Sequence, residues 1–317
     1  MPELPEVETI ARGVNQRIRG DRIVEVWFSR HPQPFKTPAA RQARELEGRG
    51  ILAVHRTGKH IVCELGGPAD GSVHSHPRSP QQAKIARRGP RSRKNKDAAR
   101  VGHPGSGLGE LENEPAAQWI VHLGMTGRLL VTTPDASIAA HTHARLSLLS
   151  GRELRFVDPR RFGRLEFRDL SRRAGFCAAG IDPLTVTAEE FARLFRGRKL
   201  AIKAALLNQK LLSGVGNIYA DESLFRAGIR PRRRSGRLSR AELEGLRLAL
   251  REVLKHAIRL GGSSVSDYVD ADGVRGFFQQ EHCVYLRTGL PCRLCQTPIR
   301  RIVVAGRGTH YCPRCQR

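Results

Sequence analysis

Four cysteines near the C-terminus constrain this chain more tightly than anything else in it. Cys292-x-x-Cys295 is followed, sixteen residues later, by Cys312-x-x-Cys315. Each pair can hold one edge of a tetrahedron, and four thiolates suit Zn2+. With all four positions filled by protein, one zinc there is structural, not catalytic. Residues 299–305 and 308–311 between the pairs read as a β-hairpin. It carries Arg300, Arg301 and Arg307, with Arg293 and Arg314 at its base. Two readings stand: a hairpin that meets phosphates or a groove, or a metal-stapled fold element with solvated arginines. The other cysteines, Cys63, Cys177 and Cys283, make no framework, so the count points to a metal site in a reducing compartment.

Charge narrows the partner. Lys and Arg number 55 against 30 Asp and Glu, a formal charge of +25 and an isoelectric point near 11.1. That excess implies a polyanion, with nucleic acid ahead of a membrane surface. No apolar run approaches membrane-spanning length and no signal-peptide pattern is present, so a cytoplasmic protein is expected. A chain of 317 residues has room for two domains and an accessory segment.

Val7, Ile10, Val14 and Ile18 recur at helical spacing, which predicts a helix from near Pro5 to before Gly20. Short β-branched runs follow at 23–28, 51–54 and 60–65. Residues 67–116 interrupt the pattern. Gly, Pro, Ser and charge dominate there, and Arg87, Arg88, Arg91, Arg93, Lys94 and Lys96 crowd ten positions. Such a segment reads as a disordered basic insertion, either a solvated spacer or a non-specific DNA attractor. Strand runs resume at 119–123, 128–131, 144–149, 154–157 and 163–167. Eight strands suggest a β-sandwich or barrel, with the insertion at a hairpin tip. From Thr187 the period becomes 3.6. Thr187-Ala188-Glu189-Glu190 and Ser239-Arg240-Ala241-Glu242 are capping boxes. A helix is expected over 202–208, and another fed by the tight turn Gly214-Val215-Gly216-Asn217.

The fold class is therefore α+β in two domains. An N-terminal β-sandwich or barrel with flanking helices, 1–170, precedes a helical bundle, 171–282, and a Cys-rich finger, 283–317.

The opening stretch, Met1-Pro2-Glu3-Leu4-Pro5-Glu6-Val7-Glu8, reads in two ways. Most chain ends are frayed. If Met1 is trimmed, however, Pro2 presents a secondary amine. A terminal amine titrates near roughly 8 against roughly 10.4 for lysine, so more of it is nucleophilic at neutral pH. Such an amine can form an iminium with an aldehyde-like carbon, and Glu3 and Glu6 stand ready to move protons. Two other loops carry potential chemistry. Gly214-Val215-Gly216-Asn217 can offer backbone N–H groups to a phosphate or serve as an ordinary cap. Asp158-Pro159-Arg160-Arg161-Phe162-Gly163 is either a wedge that enters a duplex or a turn with Phe162 in the core. Lys59 by itself carries no signal.

Together these stretches, with His122-Leu123-Gly124-Met125-Thr126-Gly127 and Gly214–Ala220 plus Glu222-Ser223-Leu224-Phe225, resemble the formamidopyrimidine-DNA glycosylase family. Five blocks match in order and cover nearly everything except 67–116. The sister group of endonuclease VIII type, which acts on oxidised pyrimidines, typically opens Pro-Glu-Gly-Pro-Glu instead of the Pro-Glu-Leu-Pro-Glu found here. The resemblance implies a helix–two-turns–helix domain, a zinc finger, and a monomer acting on damaged double-stranded DNA. It implies a base-excision-repair glycosylase and abasic-site lyase for 8-oxoguanine and formamidopyrimidines.

By the same resemblance, Pro2 is the nucleophile at C1′ and Glu3 the general acid/base. Lys59 contacts phosphate and assists elimination, and Arg307 grips phosphates at the lesion. Met125, Arg160 and Phe162 fill the void left by the flipped nucleotide. Lys203 and Asn217 match phosphate contacts, Glu6 and Glu222 match acids of the lesion pocket, and 264–278 corresponds to a mobile loop over the flipped base. The insertion 67–116 and a partial match at 267–276 depart from the family pattern, which leaves lesion preference less defined than the chemistry. A pyrimidine-specific relative and a non-catalytic zinc-dependent DNA-binding protein remain as alternatives; a pure binder needs neither Pro2 nor Glu3.

Overall fold

The structure, a computed structural model, describes residues 1–31, 34–68, 114–264 and 268–317. The basic run 87–96 and most of the insertion lie outside the described residues.

Helix α1 (Leu4–Ile18) ends where Gly20 takes up φ +82. Its apolar stripe divides between two cores. Val7, Ile10, Ala11, Val14 and Ile18 pack among the strands of the first domain. Leu4, one turn earlier, sits in the core of the helical domain beside Val215, Tyr219 and Leu212.

Eight strands form two four-stranded antiparallel sheets, which makes the first domain a sandwich. One sheet has the order β2 (Arg49–Thr57), β3 (His60–Pro68), β4 (Ala117–His122), β8 (Arg164–Asp169). The other runs β1 (Ile23–Phe28), β6 (Thr142–Leu148), β7 (Glu153–Val157), β5 (Arg128–Thr132). Leu65 pairs with Ala117, so the segment carrying the insertion joins two hydrogen-bonded neighbours. The strands expected from these runs are all present, with ends displaced by at most three residues.

One element escaped the pattern. Helix α2 (Ala39–Leu46) buries Gln42 where an apolar residue would have signalled a face. Gln42 is satisfied inside: Nε2 donates to Thr37 O (2.7 Å) and Leu165 O (3.2 Å), and Oε1 accepts from Trp119 Nε1 (3.1 Å). A buried amide with every partner in place is tolerated in a core yet erases the periodicity that would reveal its helix.

The second domain follows from Asp182. Both capping boxes form, opening α3 (Ala188–Phe195) and the long α6 (Arg240–Arg259). Between them α4 (Ile202–Leu207) and α5 (Asn217–Arg226) are joined by residues 208–216, where Leu211 N donates to Asn208 O (2.8 Å) and Gly214 takes φ +88. The C-terminal hairpin is β9 (Arg300–Val304) with β10 (Arg307–Tyr311). It hangs from α5 through a small cluster of Phe225, Val284, Ile299, Cys292 and Cys312. Arg56 fastens the domains. It is nearly buried and pairs with Glu8 of α1 (2.7 Å) and Asp182 of the connecting segment (2.5 Å).

Helix α1 is also tied to β2 by a side chain: Val54 N–H donates to Asn15 Oδ1 at 2.7 Å. Asn15→Leu improves intrinsic helix propensity but strands that amide. It is expected to destabilise the fold by about 1–3 kcal/mol in denaturant unfolding; a neutral or stabilising result would show the bond to be dispensable.

Candidate active site

The N-terminus of α1 is pushed against the N-terminus of α5, and the site grows from that contact. Leu4 N–H donates to Gly214 O (3.0 Å). Glu3 Oε1 accepts from Ile218 N in the first turn of α5 (3.2 Å). Gly216, the N-cap residue of α5, has no side chain to satisfy that turn, so Glu3 caps it from another element. The glycine is required. A Cβ there would lie 2.1 Å from Glu3 Cδ. The other carboxyl oxygen, Oε2, is buried with no hydrogen-bond partner.

Glu6 lies one turn along. It accepts from Glu3 N (2.8 Å), from Ser263 N (2.7 Å) and from the Tyr219 hydroxyl. Burial pushes the Glu3 carboxyl up to about 7, against the pull of Lys59 and with a smaller push from Glu6. Burial likewise raises Glu6, opposed chiefly by the Tyr219 hydrogen bond. Lys59 sits at the turn between β2 and β3. Its ammonium is lowered by burial, while Glu3 and Glu6 hold it up. Pro2, Glu3, Glu6, Lys59, Met125, Asn217 and Arg307 line one cleft of about 400 Å3 between the two domains. Tyr285 and Gln209 line it too. No sequence signal marked either, because neither lies in a repeating pattern.

Two loops of the sandwich form a second cluster. Gly124 has φ +64, and a Cβ there would meet Phe162 C and Gly163 N at 2.5 Å. The Met125 turn and the Asp158–Gly163 turn therefore interlock backbone to backbone. Buried Asp158 fixes both: Oδ1 accepts from Thr126 Oγ1 and Oδ2 from Gly163 N, each at 2.7 Å. Phe162 is 49% exposed and Met125 41%, so neither belongs to the core. The Arg160 guanidinium lies over the Phe162 ring, 5.0 Å from its centroid. The alternative with Phe162 tucked inside is thereby removed. Exposed His141, in a left-handed conformation (φ 64), joins this cluster through its carbonyl, which accepts from Asp158 N (3.0 Å). Nothing in the sequence pattern singles it out.

Two expected roles do not fit the geometry. Lys203 was expected to touch phosphate, but it is fully buried. Its ammonium donates to Thr309 Oγ1 (2.8 Å) and Gly308 O (3.0 Å) and forms an ion pair with Asp221 Oδ1 (2.7 Å). Glu222 was expected to line the lesion pocket. Its carboxylate instead accepts three backbone N–H groups, from Cys283 (2.9 Å), Val284 (2.9 Å) and Tyr285 (2.8 Å), and anchors the start of the finger. Asn217 donates to Gly308 O (3.0 Å) and lines the cleft. Of the 264–278 stretch, residues 265–267 lie outside the described residues. The remainder is held at both domains: Phe278 N donates to Gly262 O beyond the end of α6 (3.0 Å), and Ala271 O accepts from Val131 N of the sandwich (3.1 Å).

The four cysteine sulfurs lie within 4.8 Å of one another. Cys292 and Cys315 are 3.9 Å apart, Cys295 and Cys312 3.4 Å. A tetrahedron with Zn–S bonds of about 2.3 Å has edges of about 3.8 Å, so the donor set fits one structural zinc. Arg307 opens β10 of the same finger and reaches the cleft.

Comparison with known proteins agrees with this layout. The formamidopyrimidine-DNA glycosylase N-terminal domain matches residues 1–165, its H2TH domain 179–269, and the zinc finger found in FPG and IleRS 289–317. A formamidopyrimidine-DNA glycosylase of Solibacter usitatus is 40% identical over 320 residues, covering all of both chains. The crystal structure of the MutM (Fpg) protein from Thermus thermophilus superposes with a TM-score of 0.74 at 37% identity, covering 99% of this chain and 98% of that one. A variant of the Lactococcus lactis enzyme in complex with Fapy-dG-containing DNA gives 0.76 at 29% identity over all of both chains. Among the described residues no helix is long and apolar enough to cross a membrane.

Two tests follow. A carboxyl whose folded-state pKa is raised weakens the fold once ionised. The penalty is absent below the usual carboxylate pKa near 4.5, grows as the pH rises, and is complete above about 7. Glu3→Gln should therefore stabilise the protein by about 2–3 kcal/mol at pH 8 and leave it unchanged at pH 4. Equal effects at both pH values would contradict the burial argument. Chelating the zinc removes the link between the two halves of the finger. Affinity for duplex DNA should fall about tenfold or more while the sandwich keeps its circular-dichroism signature; undiminished anisotropy binding curves would detach the finger from DNA recognition.

Proposed function

The chain belongs to the formamidopyrimidine-DNA glycosylase family, and from that premise we propose that the interdomain cleft is the catalytic centre of a base-excision-repair enzyme. The protein is a bifunctional DNA glycosylase and abasic-site lyase, removing oxidised purines from damaged double-stranded DNA as a monomer. The observation that carries the site assignment is the buried Glu3 carboxyl, poised near neutrality beside Pro2 in the cleft that also holds Lys59 and Arg307.

The geometry supports the following sequence. C1′ is inaccessible to an in-line amine within a stacked duplex, so the damaged nucleotide is flipped out at a cost of a few kcal/mol. Met125 and Phe162 enter the stack and offset part of that cost. Arg160, held over Phe162, faces the orphan cytosine. With Met1 removed, the Pro2 nitrogen attacks C1′ and the base departs with the electrons of its glycosidic bond. Glu3 delivers a proton to the sugar-ring oxygen, which opens the ring and leaves an iminium between C1′ and Pro2. A carboxyl with a pKa near 7 is matched to giving and retaking a proton at neutral pH. The iminium withdraws electrons and acidifies C2′. Loss of that proton expels the 3′ phosphate, and a second elimination expels the 5′ phosphate. Lys59 and Arg307 neutralise the departing phosphates. Water then hydrolyses the iminium and frees Pro2.

Residues 1–170, 171–282 and 283–317 act in this scheme as catalytic sandwich, DNA-binding helical domain and finger. DNA binding brings the enzyme to the nucleoid. A non-catalytic binder would gain nothing from an acid held near neutrality against an N-terminal proline. Borohydride reduction in the presence of an 8-oxoguanine:cytosine duplex should trap a covalent complex. Pro2→Gly combined with Glu3→Gln should reduce the adduct by at least about a hundredfold. An undiminished adduct would move the nucleophile elsewhere, and a thymine-glycol duplex trapped in preference would shift the substrate to pyrimidines.

A further inference from the structure

Lys203 is fully buried, and protein groups surround its ammonium. Its neighbours are more informative. Asp221 of α5 and Thr309 of β10 are, like Lys203, fully buried. Lys203 Nζ donates to Thr309 Oγ1 (2.8 Å), and that hydroxyl donates onward to Arg307 O (3.0 Å). Lys203 also donates to Gly308 O (3.0 Å), which accepts in addition from Asn217 Nδ2 (3.0 Å). Asp221 Oδ2 takes His310 N–H at 2.8 Å. The backbone at Gly308 and His310 is therefore gripped from α4 and α5, and that of Arg307 through the Thr309 hydroxyl that Lys203 holds. Arg307 itself is exposed and faces the cleft.

We propose that Lys203 is a positioning residue for Arg307, acting with Asp221 through the Thr309 hydroxyl to set where the guanidinium stands over the cleft. A buried ion pair is weak evidence for added stability, but it can specify one geometry. A hairpin otherwise held by a metal and a small apolar cluster would leave a long side chain at its edge free to wander, and a displacement of about 1 Å can cost on the order of a hundredfold in a positioned step. The inference rests on the reading that Arg307 holds departing phosphate. On that reading, base release by Pro2 and Glu3 proceeds without the relay, and phosphate departure depends on it.

Thr309→Val removes the hydroxyl and keeps the shape. In single turnovers with enzyme in excess over an 8-oxoguanine duplex, base release should stay within about twofold of the parent while strand scission slows about tenfold. Thr309→Ser, which keeps the hydroxyl, should restore the parental ratio. Bound zinc and thermal midpoint are measured alongside. An unchanged ratio in Thr309→Val overturns the proposal, as does an equal fall in both steps, the mark of a general structural defect. If Thr309→Val does not fold, the double variant Lys203→Gln with Asp221→Asn removes both charges together and must show the same split. Arg307→Gln separates the two levels. Scission undiminished in that variant refutes the role of Arg307; scission lost there but kept in Thr309→Val refutes the relay alone.

Discussion

One contact organises the molecule: the carboxyl of Glu3 buried against the first turn of α5. Its environment is a contest. The α5 N-terminus and Lys59 favour the carboxylate, whereas burial and Glu6 favour the neutral acid. Burial is the largest influence, and the pKa settles near 7. Had the helix end and the lysine won, the residue would be a permanent anion and a poor proton donor. The arrangement therefore sacrifices stability at neutral pH for a usable acid, and the partnerless Oε2 marks where that sacrifice is made.

The same contact explains why the joint between the domains is tight. Gly216 allows the carboxyl to touch the α5 backbone. Leu4 then falls into the helical core while Val7 and Ile10 fall into the sandwich core. A helix shared by two cores cannot turn freely relative to either. Arg56, pairing with Glu8 and Asp182, closes the joint on its other side. The reactive end of the chain thus has two cores as its foundation, which answers the question that a proline-rich terminus raises: it is ordered because Leu4 and Glu6 are packed, not because the first residues have any structure of their own.

What the sequence revealed and what it hid divide along a physical line. Elements that repeat their own apolar pattern were legible, including α1, the eight strands and the capped α3 and α6. The four cysteines were legible because metal geometry fixes their spacing. The loop bearing Phe162 is visible as composition and the one bearing Met125 only through the resemblance, and their interlocking depends on Gly124 meeting Phe162 across the fold. Helix α2 was hidden because Gln42 occupies its buried face. The resemblance implies a phosphate contact for Lys203 and a pocket position for Glu222, yet both side chains are engaged by protein groups far along the chain, at Thr309 and Gly308 for one and at residues 283–285 for the other. Local sequence cannot show a partner about 60 to 105 positions away.

The acids and bases are also divided by depth. Glu3, Glu6, Asp158, Asp221 and Glu222 are all buried, and each accepts at least one backbone N–H. Arg160 and Arg307, by contrast, are exposed. Removing acids from the surface makes the face offered to a polyanion more basic than the formal charge of +25 indicates. Carboxylates are suited to the interior work because each accepts several N–H bonds without a donor of its own to satisfy. Arginines are suited to the surface because the guanidinium stays charged and matches phosphate geometry. Lys203 ties the two layers together. It is a cation drawn inward by Asp221, and the strand it grips carries the arginine that faces the cleft.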